Sequence, residues 1–225
     1  MTEVRVKVCG IVDVVTALAC AGAGADWIGL NFHPPSPRSI SPDLGAEIVA
    51  ALAGSAEPVG LFVDRPAREV AEVAARVGLR TIQLHGDEPP GYLAELAGHF
   101  PTPPRIVRAF RLADAAGVDR MIAYLAEAES LGSPPHAILV DAHVAGQPGG
   151  TGRVLPSDLL DRLPAHPRLI LAGGLDPANV ADRVARVRPW MVDVASGVES
   201  APGVKDRGRV SAFIAAARAI RKNPT

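Results

Sequence analysis

The sequence predicts an α/β fold, a closed barrel of eight strand–helix units, and three observations carry that prediction. Short runs rich in β-branched residues alternate with Ala-rich amphipathic stretches from one end of the chain to the other, the pattern of repeated βα units. Hydrophobic residues make up 48% of the 225 residues but aromatic ones only 4%, so the core has to be built from Ala, Val, Leu and Ile, as in parallel strands covered by helices. Eight strand–helix pairs then take about 28 residues each, close to the minimum for a strand, a helix and two turns.

In chain order the strands are expected at Val4–Cys9, Trp27–Phe32, Val59–Val63, Thr81–Leu84, Arg105–Ala109, Ala137–Asp141, Arg168–Ala172 and Met191–Val194. Helices are expected at Val14–Ala23, Pro42–Ala53, Pro66–Val77, Pro89–Ala97, Asp114–Glu129, Leu155–Leu163, Pro177–Val187 and Asp206–Arg221. Several open on proline, which suits a first turn because its missing N–H has no helical partner there. Proline-rich pieces at 33–37, 101–104 and 132–135 fall between neighbouring elements and read as loops rather than linkers. The rival fold, an open doubly wound sheet, usually carries Gly-x-Gly-x-x-Gly after its first strand; Cys9-Gly10-Ile11-Val12-Asp13 stands there instead. Little chain remains for a second domain, so residues 1–225 are expected to form a single (β/α)8 TIM barrel.

Composition removes several function classes. The 23 basic and 24 acidic residues are spread along the chain, which gives no electrostatic reason to expect nucleic acid or a membrane surface as partner. Two cysteines, Cys9 and Cys20, are too few for a disulfide framework, and no Cys/His cluster has zinc-ligand spacing, so a reduced, metal-free protein is expected. Met1–Val8 has no long apolar stretch, and no apolar run reaches the roughly 20 residues of a membrane span, so the expected location is the cytoplasm.

In such a barrel the chemistry sits at the carboxyl ends of the strands. The sequence loads that face with polar residues and glycines. Gly173-Gly174 after the seventh strand and Ser196-Gly197 after the eighth can turn backbone N–H groups toward a phosphate, although either cluster alone would serve as a tight turn. Gly149-Gly150-Thr151-Gly152, with Gly150 at its centre, is a loop able to close over a ligand or simply a long connection. No comparable pair follows the third or fourth strand, which favours a small molecule with one phosphate. Arg38, raised on a Ser-Pro-Arg turn, has a planar fork suited to a carboxylate, or to a surface salt bridge.

Cys9 ends an apolar strand. A free cysteine there is commonly a small buried hydrophobe, but at the catalytic face a thiolate can take a proton from carbon. Asp141 follows Ala137-Ile138-Leu139-Val140, so its carboxylate emerges at the barrel mouth, where an apolar setting would raise its pKa toward that of a general acid; an N-cap or loop salt bridge is the alternative. Asp64 and His85 are similarly placed, either against substrate or as hydrogen-bonding support. Cys20 lies mid-helix and is expected to be structural.

These segments resemble the phosphoribosylanthranilate isomerases of tryptophan biosynthesis. The matching pieces are Val6-Lys7-Val8-Cys9-Gly10, Ile28–Phe32 running to Ser36-Pro37-Arg38, Val59–Asp64, and Gln83-Leu84-His85-Gly86-Asp87-Glu88. They continue in family order with Leu139-Val140-Asp141, Gly149–Gly152, Leu171–Leu175, Val192–Glu199 and Gly203-Val204-Lys205-Asp206. The resemblance implies a cofactor-free Amadori rearrangement of N-(5'-phosphoribosyl)anthranilate, with Cys9 as general base and Asp141 as general acid. It further implies that Arg38 holds the anthranilate carboxylate and that Gly174, Ser196 and Gly197 supply the phosphate site. The expected protein is a monomer or homodimer. The chain departs from the family pattern at His33-Pro34-Pro35, where aromatic and basic residues are more usual, and at Ala142, a frequent serine. The nearest alternative is the histidine-pathway sugar isomerase, which resembles the chain less because aspartate replaces Cys9 there. A bifunctional isomerase and a phosphate-binding barrel without catalysis complete the alternatives.

Overall fold

The computed structural model describes residues 3–142, 157–164 and 166–219. Eight parallel strands, β1 (Arg5–Cys9), β2 (Trp27–Asn31), β3 (Glu57–Phe62), β4 (Thr81–Leu84), β5 (Arg105–Leu112), β6 (Ala137–Ala142), β7 (Leu169–Leu171) and β8 (Met191–Val194), pair in chain order. The barrel closes where β1 pairs with β8, Lys7 opposite Asp193. The helices are α1 (Val14–Gly22), α2 (Pro42–Leu52), α3 (Ala67–Val77), α4 (Pro90–Gly98), α5 (Ala115–Ser130), α6 (Ser157–Asp161), α7 (Val180–Val187) and α8 (Arg207–Arg218).

Local chemistry sets the boundaries. Asp13 caps α1 by accepting from the Thr16 N–H at 2.7 Å, and Ser41 caps α2 through Leu44 N–H with Pro42 in the first turn. The start of α7 falls three residues after the proline expected to open it, because the Asp176 carboxylate takes the Ala178 and Asn179 N–H groups in a turn of its own. Strand β5 runs beyond Ala109 because Phe110, Arg111 and Leu112 stay paired with Val140, Asp141 and Ala142. An antiparallel hairpin, β9 (Glu199–Ala201) and β10 (Val204–Lys205), was not anticipated; it turns at Pro202-Gly203, where Gly203 takes φ 82°.

Side-chain alternation divides the buried residues into two cores. Val6, Val8, Ile28, Leu30, Phe62, Ile82, Leu84, Ile138, Val140, Val192 and Val194 face outward into the layer beneath the helices. Each such fully buried side chain stabilises by roughly 1.5–3 kcal/mol. Trp27, Val59, Val107, Ala109, Ala137, Leu139, Ile170, Ala172 and Met191 fill the barrel itself. The amino-terminal end is plugged by Trp27 packed edge-on against Trp190, with Arg5 stacked over Trp190 at 4.8 Å. Toward the carboxyl ends, the inward positions of β1, β4, β6 and β8 become Lys7 and Cys9, Gln83, Asp141, and Asp193. A plugged, apolar floor and a polar mouth follow from that one change in residue type.

Candidate active site

At the floor of the mouth, β1 presents Lys7 and Cys9 on the same face, two residues apart. Lys7 Nζ lies 3.0 Å from Asp193 Oδ1, its cross-strand partner, and both side chains are buried. Burial pulls Lys7 down, but Asp193 and Cys9 beside it outweigh burial and hold it above the usual lysine range. Cys9 is 7% exposed. Burial pushes its thiol up; Lys7 opposes this by charge and hydrogen bond, Lys205 opposes it more weakly, and Asp193 adds to the rise. Gly29, in register with Cys9 on β2, makes the thiol's position available: a β-carbon there would stand 2.6 Å from Cys9 Sγ.

Asp141 ends the inward row of β6. Its pKa is pushed up to about 7, first by burial and then by Asp193, against the pull of Arg111 and Lys7. The Lys7–Asp193 pair therefore acts on Cys9 and Asp141 alike. His85 Nε2 is 3.8 Å from Asp141 Oδ2, beyond a hydrogen bond, and its Nδ1 meets Gln83 Nε2 at 2.8 Å. Burial, then Lys7, Arg111 and Arg108, pull His85 down to about 3, so the ring is a neutral neighbour of Asp141.

Arg38 stands on a loop fixed by one hydroxyl: Ser36 Oγ accepts from Asn31 Nδ2 at 3.0 Å and from the Arg38 N–H at 3.1 Å. The guanidinium is held at its Nε and Nη2 edge by Glu199, at 2.8 and 2.6 Å. Glu199 also accepts from Lys205 Nζ at 2.6 Å, and Lys205 donates to the Ala195 carbonyl at 3.0 Å. Burial pushes Glu199 up, but its two cationic donors outweigh burial and keep it below the usual carboxylate range. Lys205 is pulled below the lysine range by burial, with Glu199 opposing. Gly10, at φ 77°, packs so closely under the Arg38 side chain that a β-carbon would overlap Arg38 Cδ.

After β7, Gly173 and Gly174 take φ 85° and 61°, conformations that side chains rarely adopt. After β8, Ser196-Gly197 lies in a single 3-10 turn, Ser196–Val198. The two loops meet there, since a β-carbon on Gly197 would collide with the Leu175 carbonyl oxygen. Asn179 ties the first loop down by donating to Gly174 O at 2.9 Å. Gly150 and the rest of 149–152 lie outside the described residues.

Asp64 occupies a bracing position. It takes φ 47°, its carboxylate accepts from the Asp87 N–H at 2.5 Å, and its own N–H donates to Glu88 at 2.9 Å. Buried Glu88 also accepts from the Gly86 N–H and faces Arg108 Nη1 at 3.4 Å. The loops after β3 and β4 are thereby locked together, which fixes the strand end that carries His85.

Sequence reasoning missed Lys7, Asp193, Glu199 and Lys205 as individual parts of the site. Lys7 and Asp193 had a signal: a charge at an inward position of an otherwise apolar strand. For Glu199 and Lys205 it was the pairing that had no signal, because it depends on an unforeseen hairpin. Among the described residues, no group of three or more His, Cys, Asp or Glu is placed to hold a metal ion, and no helix is long and apolar enough to cross a membrane.

Residues 6–216 match the family described as N-(5'-phosphoribosyl)anthranilate isomerase. An N-(5'-phosphoribosyl)anthranilate isomerase of Geobacter sulfurreducens is 42% identical over 96% of this chain and 98% of its own. The crystal structure of phosphoribosyl anthranilate isomerase from Thermotoga maritima superposes with a TM-score of 0.83 at 33% identity, covering 96% of this chain and all of that one. A phosphoribosyl anthranilate isomerase in complex with reduced 1-(o-carboxyphenylamino)-1-deoxyribulose 5-phosphate matches with a TM-score of 0.79 and the same identity and coverage. At that identity over nearly the whole chain, with the barrel shared, the chain belongs to the N-(5'-phosphoribosyl)anthranilate isomerase family.

Proposed function

We propose that this barrel isomerises N-(5'-phosphoribosyl)anthranilate to 1-(2-carboxyphenylamino)-1-deoxyribulose 5-phosphate, with Asp141 as general acid and Cys9 as general base. The observation that carries the assignment is the pKa of Asp141, about 7, which leaves a protonated carboxyl available near neutral pH in a mouth that also holds a thiol. Asp141 gives its proton to the furanose oxygen; the C1–O bond breaks and C1–N becomes an iminium. That cation acidifies the C2 proton, which Cys9 removes as thiolate, and the electron pair forms the C1–C2 double bond of the enolamine. Return of a proton to C1 and loss of one from the C2 hydroxyl give the ketone. The resting thiol is held up by burial, and the iminium's charge joins Lys7 and Lys205 in favouring the thiolate.

The substrate's two ends fit two groups of residues. The carboxylate belongs at the free edge of Arg38, since Glu199 occupies the other edge. The phosphate belongs at Gly173, Gly174, Ser196 and Gly197. Asp64 and His85 support the mouth from β3 and β4.

The test is turnover of freshly prepared substrate followed by loss of its fluorescence, run beside the histidine-pathway substrate. Cys9→Ala and Asp141→Asn are each expected to lower kcat at least roughly 100-fold with far less effect on affinity. Near-normal turnover in either variant removes that residue from its role, and preference for the histidine-pathway substrate overturns the assignment.

A further inference from the structure

Arg38 is an unusual carboxylate receptor, because it already holds one. Its Nε and Nη2 are spent on Glu199 in a bidentate pair, and an isolated Arg–Glu pair has no net charge with which to attract a second anion. The neighbouring hairpin changes that sum. Strand β10 places Lys205 in register with Glu199 on β9, and Lys205 Nζ reaches the same Oε1 that Arg38 Nε uses. The exposures are ordered: the Lys205 and Glu199 side chains are 1% and 4% accessible, Arg38 16%. Two cations thus share one carboxylate, and Arg38 is the more accessible of the two.

A buried ammonium costs stability unless its geometry returns more than its desolvation, and a methionine could fill the same space at no such cost. Glu199 needs no second partner to be satisfied, since Arg38 binds it at both oxygens. The structure already secures the hairpin by other means: Arg209 Nη1 donates to the Glu199 carbonyl at 2.5 Å, and the Asp206 N–H to Val198 O at 2.8 Å.

We infer that Lys205 is a positioning residue that sets the charge of the substrate's carboxylate subsite: by neutralising Glu199 from behind, it leaves Arg38 carrying one net positive charge while Glu199 keeps the guanidinium aimed. The inference rests on the proposed role of Arg38 and adds the reason that Arg38 can perform it while paired.

The test measures binding by calorimetry with two probes: the reduced carboxyphenylamino-deoxyribulose phosphate and its phenylamino counterpart lacking the carboxylate. The ratio of their Kd values reports the carboxylate's contribution alone. Lys205→Met is expected to reduce that preference roughly 10-fold or more, because the charge opposing the carboxylate is cancelled. Lys205→Gln, which keeps a donor for Glu199 and the Ala195 carbonyl, should lose it equally. The double variant Lys205→Met/Glu199→Gln restores the net charge on Arg38 and should regain most of the preference, an outcome that a merely structural lysine does not produce. A full preference in Lys205→Gln, or no recovery in the double variant, overturns the inference. Arg38→Ala separates this from the parent assignment. If Arg38→Ala abolishes the preference while the lysine variants keep it, only the Lys205 inference falls; if Arg38→Ala keeps it, the Arg38 role falls and the inference with it.

Discussion

Replacing Asp141 by Asn should stabilise the protein at alkaline pH and do so much less in acid. The folded carboxyl titrates at about 7. An unfolded aspartate titrates near ~3.9. Below the unfolded pKa both states are protonated and the group costs nothing. As pH rises from about 4 to 7 the unfolded chain releases its proton while the folded one keeps it, so the native state binds more protons and stability falls at about 1.4 kcal/mol per pH unit. Above the folded pKa the loss levels off at about 4 kcal/mol. Asparagine has no charge to desolvate and no such slope. Relative to the parent, Asp141→Asn should therefore gain about 3 kcal/mol more at pH 8 than at pH 5, equivalent to a Tm difference of roughly 6–12 °C for a chain this long. Thermal and urea unfolding at the two pH values measures it. An equal effect at both, or no gain at pH 8, would refute the claim that burial and Asp193 raise this carboxyl. The same variant is expected to be the slow one in turnover, which would tie the proton of the proposed general acid to a cost in stability.

Two further substitutions test the positions that make room for the chemistry. Gly29→Ala puts a β-carbon 2.6 Å from Cys9 Sγ and 2.9 Å from Cys9 Cα, so it should lower kcat roughly 10-fold or more while KM changes less, as expected when only a reacting group is displaced; steady-state kinetics at saturating substrate decides. Gly197→Ala drives a β-carbon into the Leu175 carbonyl, backbone that cannot rotate away, and should part the loops after β7 and β8. Weaker binding of inorganic phosphate and a stability loss of about 1–3 kcal/mol are expected; unchanged values for both would remove the close approach of those loops from the site's design.

The barrel was legible because its signal is periodic and repeated. A strand buried on both faces reads as a β-branched run wherever it occurs, and β4 and β8 begin and end where the pattern says they should. The placement of Cys9 and Asp141 was legible for a related reason: each interrupts such a run at its carboxyl end, where this architecture places its mouth. Charges that work in pairs were not. Lys7 looks like a misplaced surface residue until β1 closes onto β8 and sets Asp193 opposite it, a contact between residues 186 positions apart. Glu199 and Lys205 lie only six residues apart, yet their pairing depends on a two-residue turn at Pro202-Gly203, and their use depends on Arg38 arriving from 161 residues away. Local sequence specifies which side chains are available at the mouth; the closure of the barrel specifies which of them share a charge. Burial acts first on Cys9 and Asp141, but Lys7 and Asp193 bear on both, and Glu199, shared with Lys205, bears on Arg38, so the state of all three depends on topology as well as on the residues themselves.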